Sequence, residues 1–160
     1  MVPGFTYTFW YRLATYLGSS SLYRYWAGIV ARLMLRHLMH KYGIFIPRNT
    51  MIGPGLYIGH YGEIVVHDAA IIGRNCNVSQ GVTIGQTNRG SRKGTPTLGD
   101  NVFVGPGAKV IGKVTVGNNV AIGANCVVTR DVPDNAVVIG VPAKVVSFDG
   151  SGGYVEKTDY

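Results

Sequence analysis

Residues 97–128, TLGDNVFVGPGAKVIGKVTVGNNVAIGANCVV, decide the fold of this chain. Every sixth residue of this segment is aliphatic: Leu98, Val104, Val110, Val116, Ile122 and Val128. A second column of small or apolar residues follows four positions after each: Val102, Ala108, Val114, Val120, Cys126 and Val132. A period of six matches neither the 3.6-residue period of an α-helix nor the alternation of a strand. The pattern therefore predicts an architecture that repeats at this length.

The first column also extends upstream, through Ile46, Ile52, Ile58, Val66, Ile72, Val78 and Ile84. A parallel β-helix fits this period, because each six-residue unit supplies one short strand and one turn, and three units close a triangular coil. Glycine directly follows eight of the thirteen aliphatic residues. It fits a turn where a Cβ would crowd the next coil or require an unfavourable φ. An ordinary β-sandwich, the alternative, does not explain thirteen aliphatic residues in register.

The register breaks twice, and breaks in a repeat protein tend to carry function. The first break surrounds residues 60–63, and the second is the polar, basic segment 86–96, which we expect to loop out over the surface. We predict three regions: an N-terminal helical segment (1–42), a β-helix catalytic domain (43–146) and a flexible tail (147–160).

The composition bounds the partners and the compartment. A chain of 160 residues with 46% hydrophobic residues suits one domain, and its net charge of +7 favours anionic partners. No nucleic-acid motif is visible, so we expect no nucleic acid. Both cysteines, Cys76 and Cys126, fall inside the apolar pattern and predict buried free thiols in a reducing compartment, the cytoplasm.

Helical spacing of apolar residues over 5–42 predicts two helices separated by Gly18 and the serines after it. Arg24, Arg32, Arg36 and His40 lie on one stripe of the second helix. Two interpretations stay open for this stripe: a solvated face, or a contact with a membrane surface or a lipid phosphate.

Three motifs carry a resemblance to a known family: GHYGEIVV at 59–66, SQGVTIG at 79–85 and IGVPAKVV at 139–146. With them, the chain resembles the hexapeptide-repeat acetyltransferases, in the branch of serine acetyltransferases and capsule or exopolysaccharide O-acetyltransferases. The resemblance implies a left-handed coil, a homotrimer with active sites between prisms, acetyl-CoA as co-substrate and His60 as catalytic base. It also implies cofactor contacts along the C-terminal coils, at Gly85, Thr87, Gly105, Pro106, Gly123, Ala124 and Lys144.

The sequence departs from the serine enzymes at charged positions. Where the family pattern has two aspartates and an Arg-His pair, this chain has Phe45, Gly59, Gly94 and Thr95. A serine site must pair an ammonium and a carboxylate. We therefore expect a sugar or polysaccharide hydroxyl as acceptor, with L-serine as the alternative. The expected acceptor residues are Phe45, Tyr61, His67, Asn88 and Thr95, with Tyr57 and Ser91 as further contacts.

Acetyl transfer to a hydroxyl needs a base, and a neutral imidazole suits this task. His60 is expected to remove the hydroxyl proton directly, with Glu63 or Asp68 orienting its ring and glycine N–H groups holding the oxyanion. Residue type alone also allows His60 to be a turn residue and His67 a surface residue. Cationic side chains of the second break (Arg89, Arg92 or Lys93), together with Lys144, are expected to attract the CoA phosphates.

Two other classes of protein were weighed. A γ-type carbonic anhydrase holds zinc with three histidines, but two of the four here, His37 and His40, lie in the helical segment. We therefore expect no metal. A non-enzymatic scaffold is disfavoured by the irregular loop and the His60 motif.

Overall fold

The computed structural model describes residues 3–17 and 22–156. Two helices come first, α1 (Pro3–Tyr16) and α2 (Leu22–Tyr42). Fourteen short strands follow: β1 (Ile44–Phe45), β2 (Met51–Ile52), β3 (Ile64–Val66), β4 (Ile71–Ile72), β5 (Asn77–Val78), β6 (Thr83–Gly85), β7 (Thr97–Leu98), β8 (Phe103–Val104), β9 (Lys109–Ile111), β10 (Thr115–Val116), β11 (Ala121–Ile122), β12 (Val127–Val128), β13 (Val137–Ile139) and β14 (Lys144–Ser147). The predicted helix break, residues 18–21, lies outside the described residues, as do the side chain of Arg24 and residues 157–160.

The strands form the three faces of a left-handed parallel β-helix, which confirms the predicted fold. The first sheet has the order β1-β3-β6-β9-β12, the second β10-β7-β4-β2 and the third β14-β13-β11-β8-β5. Every pairing is parallel except the last, in which β14 turns back against β13. The chain visits the three sheets in turn, so each edge of the prism is a stack of corners from successive coils.

The two repeating columns fill the interior. Of the thirteen aliphatic residues, twelve are buried and Ile52 is half-buried. All six residues of the second column are buried as well. The hydrophobic effect therefore acts along the whole axis, because each coil stacks its inward side chains on the next.

The strand register measures both breaks. A regular coil takes 18 residues, as between Val66 and Ile84 in the first sheet. The first break lengthens its coil to 20, between Ile44 and Ile64. The second lengthens its coil to 26, between Ile84 and Val110. Both insertions lie at corners, so they leave the stacked strands in register.

Close approach explains the glycines that follow the inward residues. A Cβ on Gly73 would lie 2.3 Å from the carbonyl oxygen of Gly99, and one on Gly105 would lie 2.7 Å from that of Ile122. These distances are too short for any side chain. The positive φ angles fall two residues later in the unit, on glycines or asparagines such as Asn101, which has φ 57°.

One edge of the prism, which we call the asparagine edge, is tied by side chains. Its corners are residues 73–75, 99–101, 117–119 and 133–135. Asn75 donates to Asn101 (3.1 Å), Asn101 to Asn119 (2.9 Å) and Asn119 to Asn135 (3.2 Å). Side-chain oxygens that accept backbone N–H groups add a second ladder: Asp100 accepts from Arg74 (2.7 Å), Asn118 from Asp100 (2.9 Å) and Asp134 from Asn118 (2.7 Å).

The helices close the N-terminal end of the β-helix. Tyr7 and Tyr11 are buried, and their hydroxyls donate to the carbonyl oxygens of Ile46 (3.2 Å) and Thr50 (2.7 Å). Burial raises the pKa of both phenols, so they stay neutral donors. Among the described residues, no helix combines the length and apolar character that crossing a membrane requires.

Residues 147–156, the described part of the tail, differ from the flexible segment that we expected. Strand β14 covers residues 144–147, and the chain beyond it packs on the asparagine edge. Ser151 is buried and donates to the carbonyl oxygen of Asn101 at 2.6 Å. Tyr154 stacks on Phe103 with ring centroids 4.5 Å apart. The side-chain interactions of Ser151 and Tyr154 order a stretch whose Gly and Ser content resembled disorder.

Candidate active site

His60 lies on the edge between the third and first sheets, which we call the histidine edge. Its corners are residues 59–63, 79–81, 105–107 and 123–125. Backbone hydrogen bonds stack these corners: the Gly81 N–H donates to Gly62 O at 2.8 Å, and the Gly107 N–H donates to Gln80 O at 2.9 Å. The first break therefore places His60 at the start of a glycine-rich edge.

The His60 ring is exposed and accepts or donates no hydrogen bond within the described part of the chain. Its neighbour Tyr61 is exposed too, and its ring lies 5.3 Å from the ring of Tyr42 at the end of α2. Glu63 is exposed on the same corner, with φ 53°. This corner is open to solvent on a single prism.

Asp68 does not contact His60. It lies on another edge, between the first and second sheets, which we call the loop edge. Its corners are residues 67–69, 86–96, 112–113 and 129–131. There an oxygen of Asp68 lies 2.9 Å from Nδ1 of His67, and the same Nδ1 accepts the Ala69 N–H at 3.1 Å. The expectation that Asp68 orients His60 is thus not met, because strand β3 (Ile64–Val66) crosses the first sheet between them and leaves the two residues on different edges.

The predicted cofactor residues divide among three places. Gly105, Pro106, Gly123 and Ala124 lie on the histidine edge, Gly85 and Thr87 lie where the loop leaves the first sheet, and Lys144 is exposed on β14. The first group shares the edge of His60. The structure thus brings the predicted base and part of the predicted cofactor surface together.

Four glycine N–H groups of this edge, those of Gly81, Gly105, Gly107 and Gly123, are already bonded. Gly105 N–H donates to Ile122 O at 2.8 Å, and Gly123 N–H donates to Val138 O at 2.8 Å. The expectation that glycine turns hold an oxyanion is therefore wrong for these donors. The Ala124 N–H, in contrast, has no acceptor within the described part of the chain. It is a donor on the histidine edge that a ligand can use.

The segment 86–96 forms a hairpin anchored to the next coil. Thr87 and Gly94 exchange two backbone hydrogen bonds of 3.0 Å. The Arg92 guanidinium donates to the carbonyl oxygen of Lys113 (3.2 Å) and to Asp131 (2.9 Å). The Thr115 N–H and then Arg92 lower the pKa of Asp131. Arg92 is therefore not available for CoA phosphates as expected, whereas Arg89 and Lys93 are exposed and form no ion pair in the described ranges.

The predicted acceptor residues also fall on two sides. Phe45 is half-exposed beside α2, with its ring 5.9 Å from that of His40. Tyr61 lies on the histidine edge. His67, Asn88 and Thr95 lie on the loop edge, where the Thr95 hydroxyl donates to Ala69 O at 3.0 Å.

Sequence reasoning missed Lys109. In the outward row of the first sheet, strand register aligns it with Thr83 and Val127. Its ammonium donates to the carbonyl oxygen of Gly81 on the histidine edge. The sequence did offer a signal for Lys109, because it is the one charged residue in an outward row that otherwise holds Phe45, Val65, Thr83 and Val127.

The cysteines are inert by burial. Cys76 and Cys126 are free and fully buried, and desolvation raises the pKa of Cys76 to about 11. Burial also raises the pKa of Cys126. Neither thiol reaches the surface as a nucleophile. Nor do three or more metal-ligating side chains cluster anywhere in residues 3–17 and 22–156.

Known proteins resemble this chain over most of its length. The bacterial transferase hexapeptide family (six repeats) matches residues 95–130. A serine acetyltransferase of Synechococcus elongatus is 40% identical over 149 residues, which are 92% of this chain and 59% of the relative. A serine acetyltransferase of Staphylococcus aureus is 36% identical over 145 residues, or 91% of this chain and 68% of the relative.

Solved structures agree. Serine acetyltransferase of Neisseria gonorrhoeae in complex with serine is 30% identical with a TM-score of 0.74, covering 91% of this chain and 57% of that one. The Brucella abortus enzyme in complex with coenzyme A is 30% identical with a TM-score of 0.75, covering 91% and 56%. The chain thus spans about three fifths of the length of these relatives.

These comparisons correct the expected acceptor. The prediction of a sugar or polysaccharide hydroxyl as acceptor is wrong, since the relatives are serine acetyltransferases. The expectation rested on absent charges at Phe45, Gly59, Gly94 and Thr95, but the histidine edge carries charged groups at other positions, Glu63 and Lys109. An alignment that covers more than nine tenths of the chain at 36–40% identity carries more information than four positions. The chain belongs to the serine acetyltransferase family.

Proposed function

We propose that this chain transfers the acetyl group of acetyl-CoA to the hydroxyl of L-serine in the cytoplasm, forming O-acetylserine and CoA. The observation that carries the proposal is the shared edge of His60, the glycine corners and the unpaired Ala124 N–H. The relatives crystallised with serine and with coenzyme A support the two substrates.

His60 acts as the general base. Its imidazole accepts the hydroxyl proton while the serine oxygen bonds to the thioester carbonyl carbon. The carbon–sulfur bond then breaks, and the imidazolium returns the proton to the CoA thiolate. Burial of both thiols supports this direct transfer over a covalent cysteine intermediate.

Acetyl-CoA lies along the histidine edge, beside Gly105, Pro106 and Gly123. The Ala124 N–H donates to it, and Gly85 and Thr87 contact it where the loop begins. Its phosphates attract Lys144, Arg89 and Lys93, which are exposed cations without an ion-pair partner in the described ranges.

Serine needs a carboxylate for its ammonium and a cation for its carboxylate, because either charge left desolvated and unpaired is costly. Glu63 supplies the first, since it is exposed on the corner of His60 and contacts no cation of the described chain. Lys109 supplies the second, since its ammonium already contacts Gly81 on the same edge.

The chain works as a closed trimer. The exposure of His60 on one prism supports this, because a reaction site must exclude water. A three-fold ring joins unlike edges, so the loop edge of one prism meets the histidine edge of the next. His67, Asn88 and Thr95 then face Phe45 and Tyr61 across one cleft.

The N-terminal helices make a peripheral membrane contact.

An assay of the natural full-length protein tests the acceptor. L-serine and acetyl-CoA should give CoA thiol and O-acetylserine, identified by mass, and Glu63→Gln and Lys109→Gln should each raise the KM for serine about tenfold or more. Their KM for acetyl-CoA should change little, and Asp149→Asn and Arg74→Gln, on the asparagine edge, should leave both constants unchanged. No O-acetylserine from the wild-type protein would overturn the proposal.

A further inference from the structure

The positive charge of this chain is concentrated at one end. Residues 1–62 contain six arginines and lysines and no aspartate or glutamate. The rest of the chain contains nine basic and eight acidic residues, which nearly cancel. Almost all of the net charge of +7 therefore belongs to the helices and the first coil, away from the C-terminal coils where acetyl-CoA is proposed to bind.

Part of this charge surrounds a groove of 360 Å³ between α2 and the first coil. Arg32, Arg36, Arg48 and His40 line it, over an apolar floor of Leu35, Met39 and Phe45. None of the three arginines has a carboxylate within 4.0 Å among the described residues. Arg12, by comparison, is committed to the carbonyl oxygens of Ile52 and Gly53. The groove thus presents three uncompensated guanidinium groups, which bind phosphate oxygens well.

An apolar stripe runs along the same helix. Trp26, Val30 and Leu33 follow the spacing of one helical face and are 63%, 58% and 63% exposed. On helix α1, Phe5, Phe9 and Tyr16 also form an exposed stripe. Exposed aromatic and aliphatic side chains beside arginines are the composition of a helix that lies in a membrane interface.

We propose that this groove binds the phosphate headgroup of an anionic membrane lipid while the stripe of Trp26, Val30 and Leu33 enters the interface. A free phosphate would leave the stripe exposed to water. A second copy in a two-fold contact would bring the same arginines against each other, at an electrostatic cost. An anionic bilayer offers phosphates to the arginines of the groove and an apolar interior to the stripe. The inference rests on the proposed membrane contact. The groove shares Phe45 with the proposed acceptor cleft, but its three arginines take no part in acetyl transfer.

Vesicle sedimentation tests the site. The full-length protein should bind phosphatidylcholine vesicles containing phosphatidylglycerol, should bind pure phosphatidylcholine weakly, and should dissociate as salt rises. Replacing Arg32, Arg36 and Arg48 with Gln should weaken binding about 10²-fold, since each arginine near an anionic surface contributes about 1 kcal/mol. The matched control Arg74→Gln, Lys113→Gln and Arg130→Gln removes the same charge from exposed positions elsewhere and should weaken binding less than tenfold.

Tryptophan emission locates the contact. The chain has two tryptophans, so Trp10→Phe leaves Trp26 as the reporter, and its emission should shift to the blue with anionic vesicles. Equal losses in the two triple variants, full displacement by inorganic phosphate at matched ionic strength, or an unshifted Trp26 would each overturn the inference. So would a protein assembly, detected by light scattering, that only the groove variant loses. Serine acetylation without vesicles should persist in the groove variant, which separates this site from the proposed reaction.

Discussion

Two edges of the same prism use the same six-residue unit in opposite ways. On the asparagine edge, every coil from the second onward adds a side chain to a continuous hydrogen-bonded ladder. On the histidine edge, the first break inserts an exposed ring that has no partner within the described chain. Backbone bonds join the corners there, and the Lys109 ammonium donates to Gly81 O.

The difference shows that a repeat can separate stability from chemistry. A satisfied ladder rigidifies the coil stack, because each polar group that leaves water finds a partner. A site must keep donors and acceptors available for a ligand, so it lies where the pattern is interrupted. Substitutions on the two edges should therefore have effects of different kinds.

The largest expected effect is on the histidine edge. His60→Ala should lower kcat by about 10² to 10⁴, the usual contribution of a general base, and should leave the melting temperature within the wild-type range. Steady-state kinetics and calorimetry measure both quantities. Near-normal turnover would remove His60 from the reaction, and a large loss of stability would remove the contrast between the edges.

A smaller effect, of the opposite kind, is expected on the asparagine edge. Asn101→Ala removes two ladder bonds and places a Cβ-bearing aliphatic residue at φ 57°, so the free energy of unfolding should fall by about 2–4 kcal/mol. Asn101→Gly removes the same bonds without the backbone cost and should lose less. Urea denaturation at fixed protein concentration compares them. A change in kcat in either variant, with no loss of stability, would contradict the division of roles.

The smallest effect is expected on the loop edge. Arg92→Gln should lower the free energy of unfolding by under about 1 kcal/mol, because its pair with Asp131 is exposed and screened. The lowered pKa of Asp131 fixes the pH dependence: the difference between wild type and variant should be full above pH 3.8 and should vanish as pH falls through the lowered value. Trypsin should also cleave the hairpin faster in the variant. If the stability difference between wild type and variant grew in acid, the Arg92–Asp131 pair would not be the source of that difference.

The fold was predictable because a strict period leaves few architectures. The aliphatic column from Ile46 to Val128 predicts which side chains point inward, and both breaks appear as shifts in the spacing of that column. The tail was not predictable in this way. Ser151 and Tyr154 are ordered by contacts with Asn101 and Phe103, which are some 50 residues away in sequence, and no local pattern encodes such a contact.

The site was predictable only in part. His60 was found from its motif, and the glycine corners from theirs. Asp68 was misplaced because proximity in sequence does not place residues on one edge, and Lys109 was missed because its contact with Gly81 spans a whole coil. The acceptor was misjudged because four missing charges say nothing about charges supplied by other positions.

The helices at the N-terminal end of the β-helix limit how far coils from different chains can stack. A coil stack has no natural end, since each coil offers the next an identical row of strand edges, and an open end is a template for further chains. Tyr7 and Tyr11 occupy the carbonyls of the first coil, and β14 reverses direction against β13 at the other end. The helical cap and the antiparallel strand β14 thus block the addition of further chains at the two ends of the β-helix. If α1 were deleted, the first coil would be exposed, and we expect that further chains would add to it and form fibres.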